Sequence, residues 1–186
     1  IVAACSELGV NVFRGAEFDV LERFFKAAEY AQAEIVIRLT ADCPMMDPTL
    51  IDEFVNEFRR GNCHYLSNVS ERTYPDGLDV EVFDINTLRT THEQAATEYD
   101  REHVTSYIYG GPKHCRSNSE FKLRHLLFTS DFSHVRWTVD QQKDLDNIRQ
   151  IVARLPMDFS WLDALSLVTR EPDLLRIAKE PEAYQC

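Results

Sequence analysis

Apolar residues in this chain recur at two spacings, and the changes between them mark out the elements. Val20, Leu21, Phe24, Phe25 and Ala28 lie three or four apart, so they share one helical face behind Asp19. Leu50, Ile51, Phe54, Val55 and Phe58 repeat the pattern and stop at Gly61. Between these helices the spacing collapses. Ile35, Val36, Ile37 and Leu39 form a short run rich in β-branched residues, which predicts a central parallel strand over 34–40, covered on both faces. Ahead of the first helix, Val10 to Gly15 alternates apolar and polar residues and predicts a short strand. Ile1 to Gly9 looks like the end of a helix stopped by glycine, so the chain is expected to begin inside a domain. Strand and helix alternating in this way means βαβ crossovers and a parallel sheet, the α/β class.

The texture changes after Gly61. Cys63 to Asn68 is strand-like, Glu71 to Gly77 carries turn chemistry, and Leu78 to Phe83 is a strand with Asp79 and Glu81 on one face. A helix is predicted from Asp84 to Ala96, with Thr91, His92, Glu93 and Gln94 on its polar side. A second runs from about Asp100 to Ile108 and carries Arg101, Glu102 and His103 in its first turn. Residues 110–120 form a loop with basic Lys113, His114 and Arg116. Strands at 122–128 and 135–139 lead to Asp140 and to a helix with Leu145, Ile148, Ile151, Val152 and Leu155 on one stripe. From Asp158 onward, one or two helices gather around Trp161, Leu162, Leu165, Val168, Leu174 and Leu175. These are packing surface, either core or partly for a dimer partner.

The 186 residues, 44% of them hydrophobic, can bury a substantial core and read as a single domain, 1–186, with 158–186 as a C-terminal helical appendage. A formal charge of -11 opposes nonspecific binding to nucleic acid or to anionic membrane. No apolar stretch approaches the roughly 20 residues that a membrane helix needs. The five cysteines are scattered without zinc-type spacing, so reduced thiols and a cytoplasmic location are expected.

Two carboxylates carry the candidate chemistry. Asp42 ends the predicted central strand, where Pro44 and Pro48 turn the chain away, and in open α/β sheets ligands bind outside such ends. It is either a metal or substrate contact or a cap of the Pro-containing turn. Asp140 stands at a second strand end, directly before a helix. Magnesium favours one or two carboxylates, several waters and phosphate oxygens, so the pair makes nucleotidyl transfer the sharp hypothesis. Asp79 and Glu81 either face water or line a pocket for a hydroxylated or cationic ligand. His103 alone reads as a hydrogen-bonded structural residue more readily than as a catalyst.

The blocks Gly15 to Phe24, Arg38 to Pro44, Arg72 to Phe83, Arg101 to Thr105 and Trp137 to Asp140 occur in an order that resembles the cytidylyltransferase-type family of spore coat polysaccharide biosynthesis proteins. That family is related to the acylneuraminate and Kdo cytidylyltransferases. The resemblance covers roughly residues 9–155. It implies a nucleotide-diphospho-sugar transferase fold: three layers, a mainly parallel sheet and helices on both faces. It also implies transfer of CMP from CTP to a sugar, usually acidic, with release of pyrophosphate. By position, Asp42 and Asp140 match the magnesium aspartates, and Arg72, Asp79, Glu81, Arg101, Glu102 and His103 match blocks near the acceptor sugar. CTP, a sugar acceptor and a second copy in a homodimer are the implied partners.

Two departures from the family pattern stand out. The family opens with an earlier strand and a loop rich in glycine, arginine and lysine that cradles the triphosphate, so the chain reads as N-terminally truncated. In addition, Gln141-Gln142-Lys143-Asp144 replaces a Pro-containing helix start. The alternatives are a non-catalytic truncated relative that binds sugar or nucleotide or serves in assembly, and a thymidylyl- or guanylyltransferase on the same fold.

Overall fold

The computed structural model describes residues 1–110 and 120–177. In chain order these form helices α1 (Val2–Glu7) and α2 (Val20–Tyr30), strand β1 (Ile35–Arg38), helix α3 (Pro48–Arg59), and strands β2 (Tyr65–Ser67) and β3 (Glu81–Asp84). Helices α4 (Ile85–Gln94), α5 (Glu98–His103) and α6 (Ser106–Tyr109) follow, then strand β4 (Leu123–His125), helices α7 (Gln142–Val152) and α8 (Trp161–Arg170), and a 3-10 turn at Pro172–Leu174. The strands make one sheet in the order β1-β3-β2-β4, with β2 and β4 parallel and Leu66 opposite Arg124. An α/β fold with helices against a sheet is thus the architecture. Lys113, His114 and Arg116 lie outside the described residues.

The described residues divide into two compact units: the first holds 1–36, 83–110 and 120–121, the second 37–82 and 122–177. In the first, α2 packs on α4 and α5 around fully buried Leu21, Leu88, Val104 and Ile108. Asp19 caps α2 by accepting the Glu22 amide at 2.9 Å, as its place before the apolar stripe predicts. In the second unit α3 packs on β2, and α7 on α8. Tyr74 sits at its centre, 5.5 Å from the Trp161 ring and 5.6 Å from Phe128 between centroids. Trp161 is therefore core, tied down where its amide donates to Asp47 Oδ2 at 2.9 Å.

Several sequence expectations are corrected. Val10 to Gly15 pairs with no strand among the described residues, because alternation marks a strand only where a neighbour supplies the ladder. β1 stands at one edge of the described sheet instead of its centre, and Ile37 is 39% exposed. A four-residue apolar run does not encode how many neighbours flank it. Residues 135–139 make only isolated bridges, Asp76 to Arg136 and Val135 to Ile177.

The helix predicted from 100 to 108 is two helices, because buried Asp100 joins both starts: Thr97 caps its amide at 3.1 Å and Ser106 Oγ donates to its Oδ1 at 2.6 Å. Val104 turns between them at φ +64°, and Arg101, Glu102 and His103 close α5 instead of opening it. In α4, Thr91 is buried and donates to the Thr87 carbonyl at 2.8 Å. In α7 the buried face is Asp144, Asn147, Ile148 and Ile151, whereas Val152 is exposed.

Candidate functional site

The bend after β1 is tied locally. The Cys43 amide donates to the Thr40 carbonyl at 3.3 Å, and Thr40 Oγ1 and Cys43 Sγ lie 3.1 Å apart. Burial is the main reason the Cys43 thiol is pushed up to about 12, with the nearby negative charges of Asp79, Asp42 and Asp76 adding to it, so it stays protonated. Asp42, half-buried, has the Cys43 thiol at 3.8 Å as its side-chain partner among the described residues. Its carboxylate is thus not consumed by a turn cap. Its carbonyl, however, accepts the Val139 amide at 2.8 Å. That bond sets Asp42 beside the residue preceding Asp140.

A second connection runs through Asp76. Its amide donates to the Val135 carbonyl at 2.8 Å, and its carbonyl accepts the Trp137 amide at 2.7 Å. Gly77 makes this approach possible. Its φ is +109°, and a Cβ there would lie 2.9 Å from the Trp137 carbonyl carbon. The Asp76 carboxylate then sits between Arg72 at 3.6 Å and Arg136 at 3.9 Å. Even so its pKa is raised: burial, with the like charges of Asp79 and Asp42, outweighs both guanidiniums.

Arg72 holds Asp79 through two bonds, one of them Nη2 to Oδ2 at 2.9 Å. Arg136 reaches Asp140, and Asp144 at 3.4 Å. Asp144 in turn accepts the Asp140 and Gln141 amides at 3.1 and 2.9 Å, the capping box that starts α7 without proline.

Glu81 is 2% exposed, its oxygens bonded to Arg38 and, at 2.5 Å, to the Tyr65 hydroxyl. Both carboxylates are engaged by arginines, and the water-facing reading fails for Glu81, which is core, whereas Asp79 remains 19% exposed. Leu78, Val80 and Val82 are buried as expected, although the strand itself, β3, is confined to Glu81–Asp84.

In the first unit Arg101 forks Asp19 with bonds of 2.5 to 3.0 Å and donates to the His92 carbonyl at 2.8 Å. Glu102 and His103 are exposed. A cavity of about 550 Å³ lies there, lined by Glu17, Phe18, Asp19, Glu98, Arg101 and Glu102.

Sequence reasoning singled out Asp42, Asp140, Arg72 and Asp79, which the second unit links through backbone and ion pairs. It missed Asp76, Arg136, Asp144 and Arg38. Pro75-Asp76-Gly77 was legible as a turn, but nothing local announces that its aspartate faces two arginines. Asp42, Asp76, Asp79, Asp140 and Asp144 lie along this link, faced by Arg72 and Arg136 and, in the pocket around Asp140, by Lys143 and Arg176 as well. That donor set suits a hard divalent cation. Among the described residues no three His, Cys, Asp or Glu side chains come together to hold a metal ion, so protein ligation there would rest on one or two carboxylates, as magnesium allows.

The chain is 42% identical over 146 residues to an uncharacterized protein of Methanocaldococcus jannaschii, a match covering 77% of this chain and 56% of that protein. It thus spans little more than half the length of that relative. To the spore coat polysaccharide biosynthesis protein SpsF of Bacillus subtilis it is 32% identical over 178 residues, covering 92% of this chain and 70% of that protein. A solved cytidylyltransferase structure from Leptospira borgpetersenii superposes with a TM-score of 0.86 at 27% identity, covering 97% of this chain and 75% of that one. The cytidylyltransferase family profile matches residues 1–173. By that profile and by its likeness to SpsF, this chain belongs to the cytidylyltransferase family.

Proposed function

We propose that this chain carries most of the catalytic domain of a cytoplasmic, magnesium-dependent cytidylyltransferase. It would move CMP from CTP to a sugar, with an acidic sugar as the first choice, in cell-surface polysaccharide biosynthesis. The observation that carries the reading is the Val139 amide bonded to the Asp42 carbonyl, which supports a shared role for Asp42 and Asp140. Both would hold magnesium, whose chemistry when bound is to neutralise phosphate charge and orient oxygens.

In the reaction the anomeric hydroxyl attacks the α-phosphorus in line. The new oxygen–phosphorus bond forms as the bond to pyrophosphate breaks, and the hydroxyl proton is released. In the second unit, Arg72 orients Asp79 for sugar hydroxyls, while Glu81 supports Arg38 from the core. Arg101, Glu102 and His103 keep their implied acceptor-sugar role, with Glu102 and His103 the accessible members. The Arg101 guanidinium is already engaged by Asp19, so a sugar carboxylate would have to compete for it. The three-layer arrangement, a single domain over 1–186 with an appendage from 158, an earlier phosphate-cradling loop and a homodimer belong to the same proposal.

The test is pyrophosphate release from CTP with a panel of acidic sugars, using protein extended to the length of its relatives. Magnesium-dependent release that Asp42→Asn abolishes is the expected result. Equal release by the two proteins overturns the metal role. Nucleotide or sugar binding without release favours the non-catalytic alternative.

A further inference from the structure

We propose that Arg136 is the positioning residue of Asp140 and its built-in counter-cation. It holds that carboxylate in place while no metal is bound and gives it up when a divalent cation arrives. The proposal rests on the nucleotidyl-transfer reading above and concerns a residue to which that reading gives no task.

Arg136 is anchored at its backbone. Its amide donates to the Arg176 carbonyl at 2.8 Å, and it bridges in parallel to Asp76. The side chain, 18% exposed, then meets three carboxylates that are not equivalent. Asp144 is 7% exposed and already bound to the amides that begin α7, so its place is set by the helix. Asp76 lies on the paired backbone. Asp140 is 63% exposed, and Arg136 is its salt-bridge partner among the described residues.

A guanidinium stays charged throughout the accessible pH range, and its planar fork can serve several oxygens at once. Without a metal it offsets the mutual repulsion of Asp76, Asp140 and Asp144. When a divalent cation approaches Asp140, two positive centres compete for one carboxylate. The exposed contact is the one released at least cost, because Arg136 keeps Asp76 and Asp144. Cation binding is then an exchange, weaker than it would be at a carboxylate with no resident partner.

Manganese(II) serves as the probe, its affinity measured by calorimetry and by electron paramagnetic resonance. Arg136→Gln is expected to bind it about two- to fivefold tighter than the parent, the range that one half-exposed ion pair supplies. Without the ion that variant should melt at a lower temperature and recover more of its melting temperature when the ion is added. Adding Asp140→Asn should erase the gain. Arg136→Lys, which cannot fork across three carboxylates, should tighten binding by a smaller factor and keeps the test available if Arg136→Gln does not fold.

Unchanged or weaker manganese binding in the folded variants overturns the proposal. If the parent still binds the ion and Asp42→Asn does not, the transfer reading survives that outcome. A parent that binds no manganese overturns both.

Discussion

The Val139 amide lies within hydrogen-bonding distance, 2.8 Å, of the Asp42 carbonyl, although 97 positions separate the two residues (139 − 42). The bond is main-chain to main-chain, so it joins the bend after β1 to the segment before α7 whatever side chain stands at 42. Asp42→Asn should therefore leave unfolding free energy within about 0.5 kcal/mol of the parent. Nucleotidyl transfer should fall by about 100-fold or more, as expected when a group that stabilises transition-state charge is lost. Urea unfolding and pyrophosphate release, measured on the same preparations, check both halves.

Gly77→Ala should destabilise the second unit by about 1–3 kcal/mol, since φ is +109° and the new methyl would meet the Trp137 backbone at 2.9 Å. The bridge between Asp76 and Arg136 depends on that approach. Amide hydrogen exchange at Trp137, faster in the variant than in the parent, is the expected signature.

Glu81→Ala should cost about 3–5 kcal/mol by leaving Arg38 and the buried Tyr65 hydroxyl without their shared carboxylate. Tyr65→Phe removes only one hydrogen bond and should cost about 1–2 kcal/mol. Denaturant midpoints of the two variants, in that order, check the claim. Equal midpoints would return Glu81 to the surface.

Two aspartates should give opposite pH dependences. Burial raises the Asp47 pKa, but the Trp161 amide, the Thr49 hydroxyl and the Thr49 and Leu50 amides outweigh it and hold the group below its usual range. Its contribution is therefore complete above the unfolded pKa and lost as pH falls through the folded one, from about pH 4 downward. Asp47→Asn should flatten the acid limb of the stability curve. Asp76 is raised instead, so the fold favours its protonated form, and that stability disappears as pH climbs through the folded pKa. Asp76→Asn should thus gain on the parent between pH 3 and pH 7. Urea titrations at both ends read the two signs.

Arg101→Lys should destabilise the first unit by about 1–3 kcal/mol, because one ammonium cannot replace both the fork on Asp19 and the bond to the His92 carbonyl. Thermal unfolding of the variant measures that loss. If Arg101 instead serves mainly as a sugar ligand, the melt will match the parent and only the acceptor KM will rise.

The sequence by itself determined what short-range chemistry can fix. Asp19 before an apolar stripe caps a helix because its oxygen meets an amide three residues on. Gly9 and Gly61 end helices because the left-handed turn there suits glycine, at φ +69° and +84°. The five blocks, with Asp42 and Asp140 in them, were enough to indicate the cytidylyltransferase family. What a residue does across tens of positions was decided by tertiary structure alone. Asp79 and Glu81 look alike in sequence, yet one holds Arg72 near the surface and the other is core. The split at Val104 followed from a buried Asp100 bonding both ways, and Arg136 gained three carboxylate partners only when Gly77 let two backbones meet. Caps and periodicity act within one or two turns and are written locally. An ion pair between distant residues exists only after the fold has brought the charges together and excluded water from between them.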